Sequence, residues 1–261
     1  MSNFCFLRVW LSLLFCILSL SSQAQSVRHV KLFYPENIDT KGKQIPLTPE
    51  QTKVFQYFEK EAALKFSIVI LPWKRAQLEV ERGNGIIYGF SKSLERLDRY
   101  RFSLPFLNLP VWAISYGPEN AQIAELKDLK GKIVATSVGI THGIEFERAR
   151  ETVFTVTEDF LSYQERLKKL IAKRSDIILV PYNQQVSREQ VEFTINRKLI
   201  PGFDDPELNG RVFNVSINPI FIDTIHFASS KEHWSEVVDR IDSAIERGLK
   251  NGSLSKLLLN Y

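Results

Sequence analysis

The stretch PWKRAQLEVERGNGIIYGFSKSLERLDRYRFSLPF, Pro72 to Phe106, decides how this chain is read. It runs from an aromatic through a short helix pattern and an apolar strand to Ser-x-Ser-x-x-Arg, and leaves by an aromatic-proline exit. Gly85 to Phe90 carries no charge, as expected of a central parallel strand buried on both faces. The carboxyl end of such a strand is where an open α/β sheet binds ligands. Directly after it stand Ser91, Ser93 and Arg96, two hydroxyls and a guanidinium whose planar fork suits a carboxylate, while Trp73 offers a ring for stacking.

The same alternation extends outward on both sides. Val27 to Tyr34 reads as a first strand stopped at Tyr34-Pro35, and Thr48-Pro-Glu-Gln51 as a capped helix start with proline in the first position. Val54, Phe55, Phe58 and Ala62 recur at helical spacing, and Phe66 to Leu71 forms the next buried strand. Lys74 to Arg82 is a helix stopped by Gly83. Strand, helix, strand, helix, strand is a parallel α/β unit.

Pro105 and Pro110 bracket a passage out of this unit, and Val111 to Tyr116 is a strand. A second unit then begins with a charged helix-turn at Ala124 to Lys132, strand Ile133 to Gly139 and a helix starting at Thr141. It continues with a helix at Tyr163 to Lys173 and a strand from Asp176 to Tyr182, shortened by Pro181. The pattern weakens from Phe213 to Thr224, which reads as a return crossing, before an amphipathic helix from Trp234 to Leu249 whose apolar stripe faces a core. Residues 25–110 and 219–261 would thus form one lobe, and 111–218 the other.

Arg8 followed by an apolar run from Val9 to Leu20 and small residues at Ser22 and Ala24 reads as a secretory signal peptide over residues 1–24, cut near Ala24. The apolar run is short against the roughly 20 residues a membrane span needs. Both cysteines, Cys5 and Cys16, lie within residues 1–24, so the exported part has no disulfide, thiol nucleophile or cysteine metal site. Removing residues 1–24 from 261 leaves 237, and loss of Arg8 lowers the 34 basic residues to 33 against 30 acidic. Charges of both signs alternate along the helices, which argues against a nucleic-acid binder. His29, His142, His226 and His233 show no metal-ligand spacing, and nothing calls for a cofactor.

Several dispersed segments together resemble the periplasmic solute-binding proteins of family 3, the polar amino-acid type. The resemblance is carried by Tyr34-Pro35, Trp73, Ser93-Leu-Glu-Arg96, Phe102-Ser-Leu-Pro-Phe106, Leu126-Lys-Asp-Leu-Lys-Gly-Lys132, Gly139-Ile-Thr141, and Asn251-Gly-Ser253 followed by Tyr261. It implies a type II binding fold: two lobes, each a mostly parallel sheet flanked by helices, joined by two crossings that close like a hinge. By position, Arg96 would clamp a ligand carboxylate and Ser91 would add a hydroxyl. Thr141 with nearby backbone N–H groups would hold the anion from the other lobe, where a helix start favours negative charge. Tyr34 and Trp73 would enclose the rest.

One departure stands out. Where amino-acid binders carry an aspartate for the ligand ammonium, this chain has Pro181, with Tyr182, Asn183 or Glu145 as the available substitutes. The expected ligand is therefore a small carboxylate-bearing solute, an organic acid or a modified amino acid. The resemblance implies a monomer located in the periplasm that presents this solute to an ABC-type permease. It leaves open a sensing module for a membrane receptor, and a cyclohexadienyl-dehydratase-like enzyme drawing on Glu95, Glu145 or His142. Against the site reading, Arg96 could pair at the surface with Glu95 or Asp98, Ser91 and Ser93 could merely cap a turn, and Trp73 could be a core aromatic.

Overall fold

The computed structural model describes residues 26–37, 43–120, 122–150, 152–182 and 186–259. The signal-peptide reading, Asn183 and Tyr261 lie outside them. Strand β1 is Arg28–Pro35 and helix α1 Pro49–Glu61. The helix begins as its sequence demands: Thr48 Oγ1 accepts from Gln51 N at 3.2 Å, Gln51 Oε1 accepts from Thr48 N at 2.9 Å, and Pro49 fills the first position. Then follow β2 (Leu64–Leu71), α2 (Trp73–Glu81), β3 (Ile86–Ser91), α3 (Leu94–Arg99), β4 (Tyr100–Phe102) and β5 (Leu107–Ser115).

The second half holds β6 (Ile133–Ser137), α4 (Ile144–Ala149), β7 (Thr155–Asp159), α5 (Tyr163–Ile171), β8 (Ile177–Pro181), α6 (Arg188–Phe193) and β9 (Asn214–Val215). It ends with β10 (Phe221–Ser230), α7 (Ser235–Lys250) and α8 (Ser253–Leu258). Among the described residues the main path through the sheet runs β2-β1-β3-β10-β5-β8-β6-β7. Strands β1, β2 and β3 pair in parallel, as do β6, β7 and β8. Between these two parallel sets lie β10 and β5, antiparallel to each other through Phe221↔Val111 to Ile225↔Leu107. These are the two crossings.

Each parallel set is covered on both faces. In the first, Val30, Leu32, Phe58, Tyr88, Phe227 and Ile241 build one core, with α1, α7 and α8 packed on it. On the other face Phe33, Ala76, Val80, Ile87 and Phe90 build a second under α2. The second set is likewise lined by Trp112, Leu167, Ile178 and Phe213 on one side and Val111, Val134, Phe146 and Phe221 on the other. The amphipathic stripe of α7 is core over most of its length, with Val237, Val238, Ile241, Ala244 and Ile245 fully buried, but Leu249 at its end is exposed.

Three readings shift. The helix expected from Thr141 starts at Ile144, because Gly139 and Gly143 hold positive φ of 77° and 98° and keep the intervening chain out of the helix. The charged segment at Ala124–Lys132 forms only the single 3-10 turn Leu126–Leu129. The return crossing begins at Phe221 and runs to Ser230, while the Asn218-Pro219 break is the bend that precedes it.

Strand β3 carries a bulge that bears on the site. Tyr88 pairs with Phe227 and Phe90 with His226, so Gly89, at φ 77°, has no partner across the ladder. Its extra residue resets the alternation, so that Phe90 joins Ile87 in one core, and Ser91, paired with Ile225, lies at the crossing. An alanine at this left-handed position costs about 1–2 kcal/mol. Gly89→Ala is expected to lower the unfolding free energy by that amount, moving the urea midpoint down at constant slope, and an unmoved midpoint would show that the bulge relaxes freely.

Candidate functional site

The site lies where β3 ends, beside the crossing and against the loop that follows β6. Ser93 caps α3 by accepting from Arg96 N at 3.2 Å, and this fixes the helix that carries Arg96. The Arg96 guanidinium turns inward, stacks over Phe90 at 4.0 Å and is 7% exposed. Nη1 donates to Ser91 O at 2.8 Å and Nη2 to Gly139 O at 2.8 Å, so one side chain ties the first parallel set to the loop of the second. Gln77 Nε2 donates to the same Gly139 carbonyl at 3.3 Å.

Among the described residues Arg96 forms no ion pair; the surface pairing with Glu95 is instead made by Arg99. Burial without a carboxylate partner pulls the guanidinium down to about 10, against weak support from Tyr100, Glu147, Asp223 and Glu95. It stays charged at neutral pH.

Ser91 does not cap. Its Oγ donates to Asp223 Oδ2 at 2.6 Å, across from β3 to β10. Asp223 is 3% exposed, and its Oδ1 has no hydrogen-bond partner. Burial pushes its carboxyl up to about 7, against the lowering effects of the Ser91 hydrogen bond, the Thr224 N–H and the Arg96 charge. Gly143 packs against this carboxylate so closely that a Cβ there would stand 3.1 Å from Oδ1. Asp223 was not singled out in the sequence, where it sits in the weak segment between Phe213 and Thr224; a lone acid at the apolar start of a strand was the available signal.

Thr141 lies in the same loop, buried, and its Oγ1 donates to Glu147 Oε1 at 2.6 Å. The hydroxyl is thus turned to its own helix α4, while Gly139 provides the contact to Arg96. His142 beside it is buried among Phe146 and Phe221, and burial alone holds its imidazole down at about 4. Glu95 and Glu145 are exposed on their helices.

The two aromatics have different neighbours. Tyr34 stacks on Tyr88 at 5.6 Å, meets Phe55 edge-on, and accepts a hydrogen bond from Gln51 Nε2 at 2.7 Å. Trp73, the first residue of α2, meets Phe90 edge-on at 5.6 Å. They pack on the cores of opposite sheet faces, while Arg96 and Ser91 are joined by the bond from Nη1 to Ser91 O. Pro181 ends β8, exposed and opposite Val111.

No protein-family model matches the chain, and no curated protein matches it by sequence. Solved structures do. The amino-acid ABC transporter substrate-binding protein of Streptococcus pneumoniae, bound to L-arginine, aligns at TM-score 0.61 and 15% identity, covering 91% of this chain and 95% of that one. An ancestral amino acid-binding protein, described as a precursor of cyclohexadienyl dehydratase, aligns at 0.60 and 16%, with 89% and 94% covered. The GluR0 ligand-binding core of Nostoc punctiforme, in complex with L-glutamate, aligns at 0.58 and 16%, with 88% and 96% covered. At these identities the likeness shows the fold: the chain has the two-lobed, type II periplasmic binding protein architecture.

Proposed function

We propose that this protein captures a small carboxylate-bearing solute between its two lobes, residues 25–110 with 219–261 forming one and 111–218 the other. The observation that carries the reading is Arg96: a buried guanidinium with no ion-pair partner among the described residues, reaching from one lobe to a carbonyl of the other. Desolvating a cation is costly unless an anion meets it. A ligand carboxylate fits that need better than Gly139 O does, because it offers two charged acceptors to the guanidinium fork. Ser91 holds the guanidinium through its carbonyl, and Thr141 and its neighbours supply the opposing loop.

Bending at the paired crossings β5 and β10 would part the lobes, admit the solute and let Arg96 exchange Gly139 O for it. Two of the solved neighbours named above are described with a bound amino acid and one of these as an ABC transporter component, which supports a role as an exported, periplasmic receptor for an ABC-type permease. Capture requires no bond-breaking step.

A thermal-shift panel of amino acids, small organic acids and amines tests the reading. A ligand held only by the folded state at 100 times its Kd stabilises by about 2.7 kcal/mol. Carboxylates are expected to raise the melting temperature, and the best of them to shrink the radius of gyration in solution scattering. Absence of any carboxylate-induced shift would remove the capture reading, and an unchanged radius would remove hinge closure.

One observation favours a second reading. Asp223, titrating near neutrality beside the cleft, is the kind of acid-base group that a dehydratase-like elimination needs, whereas Glu95 and Glu145 are exposed. Turnover of a cyclohexadienyl acid by the purified protein would favour it over capture.

A further inference from the structure

Capture through Arg96 leaves the buried carboxyl of Asp223 unexplained. Ser91 Oγ donates to its Oδ2 at 2.6 Å, while Oδ1 has no hydrogen-bond partner in a residue 3% exposed. Buried polar atoms are normally satisfied, so one left over calls for a reason. Its place in the fold supplies one. Asp223 and Ser91 stand on the lobe that carries Arg96, and Oδ1 is covered from the opposing lobe by Gly143, where a Cβ would lie 3.1 Å away. Gly143 is in the same loop as Gly139, to whose carbonyl Arg96 Nη2 and Gln77 Nε2 both donate. The contact that buries Oδ1 is thus the contact that shuts the cleft, and parting the lobes would return that oxygen to water.

We infer that closure of the cleft places a proton from solvent on Asp223, so that the protein captures its solute together with a proton and holds it more tightly as the surroundings become acidic. The inference rests on the capture reading and deepens it. An ionised carboxylate with one oxygen unpartnered is far costlier to bury than the neutral acid. The groups around Asp223 do not reverse the sign. From α3 the Arg96 charge opposes protonation, but its nitrogens are directed at the carbonyls of Ser91 and Gly139. On the opposing loop and α4, His142 is neutral above about pH 4 and Glu147 accepts the Thr141 hydroxyl. On β10 itself His226, with Lys92 nearby, is likewise neutral, and from β5 the partner is the uncharged Leu109. Burial outweighs Arg96, Ser91 and the Thr224 N–H and sets the closed-state carboxyl at about 7, against an ordinary 3.8 once water reaches it. A ligand carboxylate on Arg96 would neutralise the opposing charge and push the same way.

Calorimetric titration with each standard L-α-amino acid and with lactate, pyruvate and benzoate, at pH 6 and at pH 8, tests the coupling. For a solute that binds, the wild-type affinity is expected to fall about tenfold from pH 6 to pH 8, the linkage of a carboxyl at about 7 when closed and near 3.8 when open. At pH 6 the binding heat should differ between phosphate and Tris by the uptake of about one proton. Asp223→Asn, which keeps an acceptor for Ser91 Oγ, is expected to bind with the same affinity at both pH values and with a heat independent of buffer. Comparing the two proteins with one solute cancels any titration of the solute itself. Wild-type binding with no pH slope and no buffer dependence overturns the coupling and leaves capture by Arg96 standing. A slope that survives in Asp223→Asn overturns the assignment to this residue. Failure of every solute to bind at either pH defeats the capture reading itself. The wild-type heats need no variant, so misfolding of Asp223→Asn cannot rescue the claim.

Discussion

Replacing Arg96 by alanine lowers the affinity for a carboxylate ligand by about 30-fold or more. The fork would otherwise give a carboxylate charge-assisted hydrogen bonds in a water-poor setting, and truncating one partner of such a buried pair costs about 2–5 kcal/mol. Arg96→Lys should also lose roughly tenfold or more, because an ammonium keeps the charge and loses the planar fork that reaches Ser91 O and a second acceptor together. Both changes leave the strands in place, since Ser93 caps α3 through the backbone of residue 96 and not its side chain. The measurement is ligand titration alongside a far-ultraviolet spectrum. An alanine variant that stays folded and binds within threefold of wild type would show that the guanidinium is a structural tie between loops.

The second large effect is a dependence of stability on pH. Asp223 titrates near 7 in the folded chain and near its ordinary 3.8 when unfolded, so the folded state binds the extra proton between those values. Stability from this group is thus greatest below about pH 4 and is lost as pH rises toward and through 7. Above pH 7 the ionised, buried carboxylate costs on the order of 4 kcal/mol at most. Asp223→Asn carries no such slope.

The ligand-free variant should therefore melt several degrees above wild type at pH 8 and close to it near pH 4, taking about 2–4 °C per kcal/mol for a chain of this size. His142 and His226, both held down at about 4 by burial, add an opposite slope below 6.5, but they are common to both proteins and cancel in the difference. Melting curves that stay parallel from pH 4 to 8 would show that Asp223 is solvated or paired in solution.

What could be read from the residues alone follows from how local each signal is. The strands and helices around Gly85–Phe90 announce themselves by periodicity and capping, and Arg96 by its place after a buried strand. Asp223 needed the fold, because its partners Ser91 and Gly143 are brought to it by a strand order in which β10 inserts between β3 and β5. Tyr34 and Trp73 were assigned a common role that alternation could not check, and the sheet separates them onto opposite cores. The helix start at Thr141 failed for a similar reason: Gly143, a backbone position at positive φ, delays it. No sequence pattern marked the π-helical turn Thr194–Leu199 that extends α6, since its apolar residues fit an ordinary helix equally well.

The position of β10 also sets an order in time. The free edge of β3 is covered by residues 225–228, and the core over β1 and β2 is completed by α7 and α8. A chain emerging from its amino terminus therefore cannot finish the half it makes first until nearly all of it is available. The middle segment carries β6, β7 and β8, whose parallel pairings β6–β7 and β6–β8 join stretches close in sequence. Assembly should begin in the middle of the chain and end by joining its two extremities, the slow, long-range step of a high-contact-order topology. The strand that carries Asp223 arrives only with that last step.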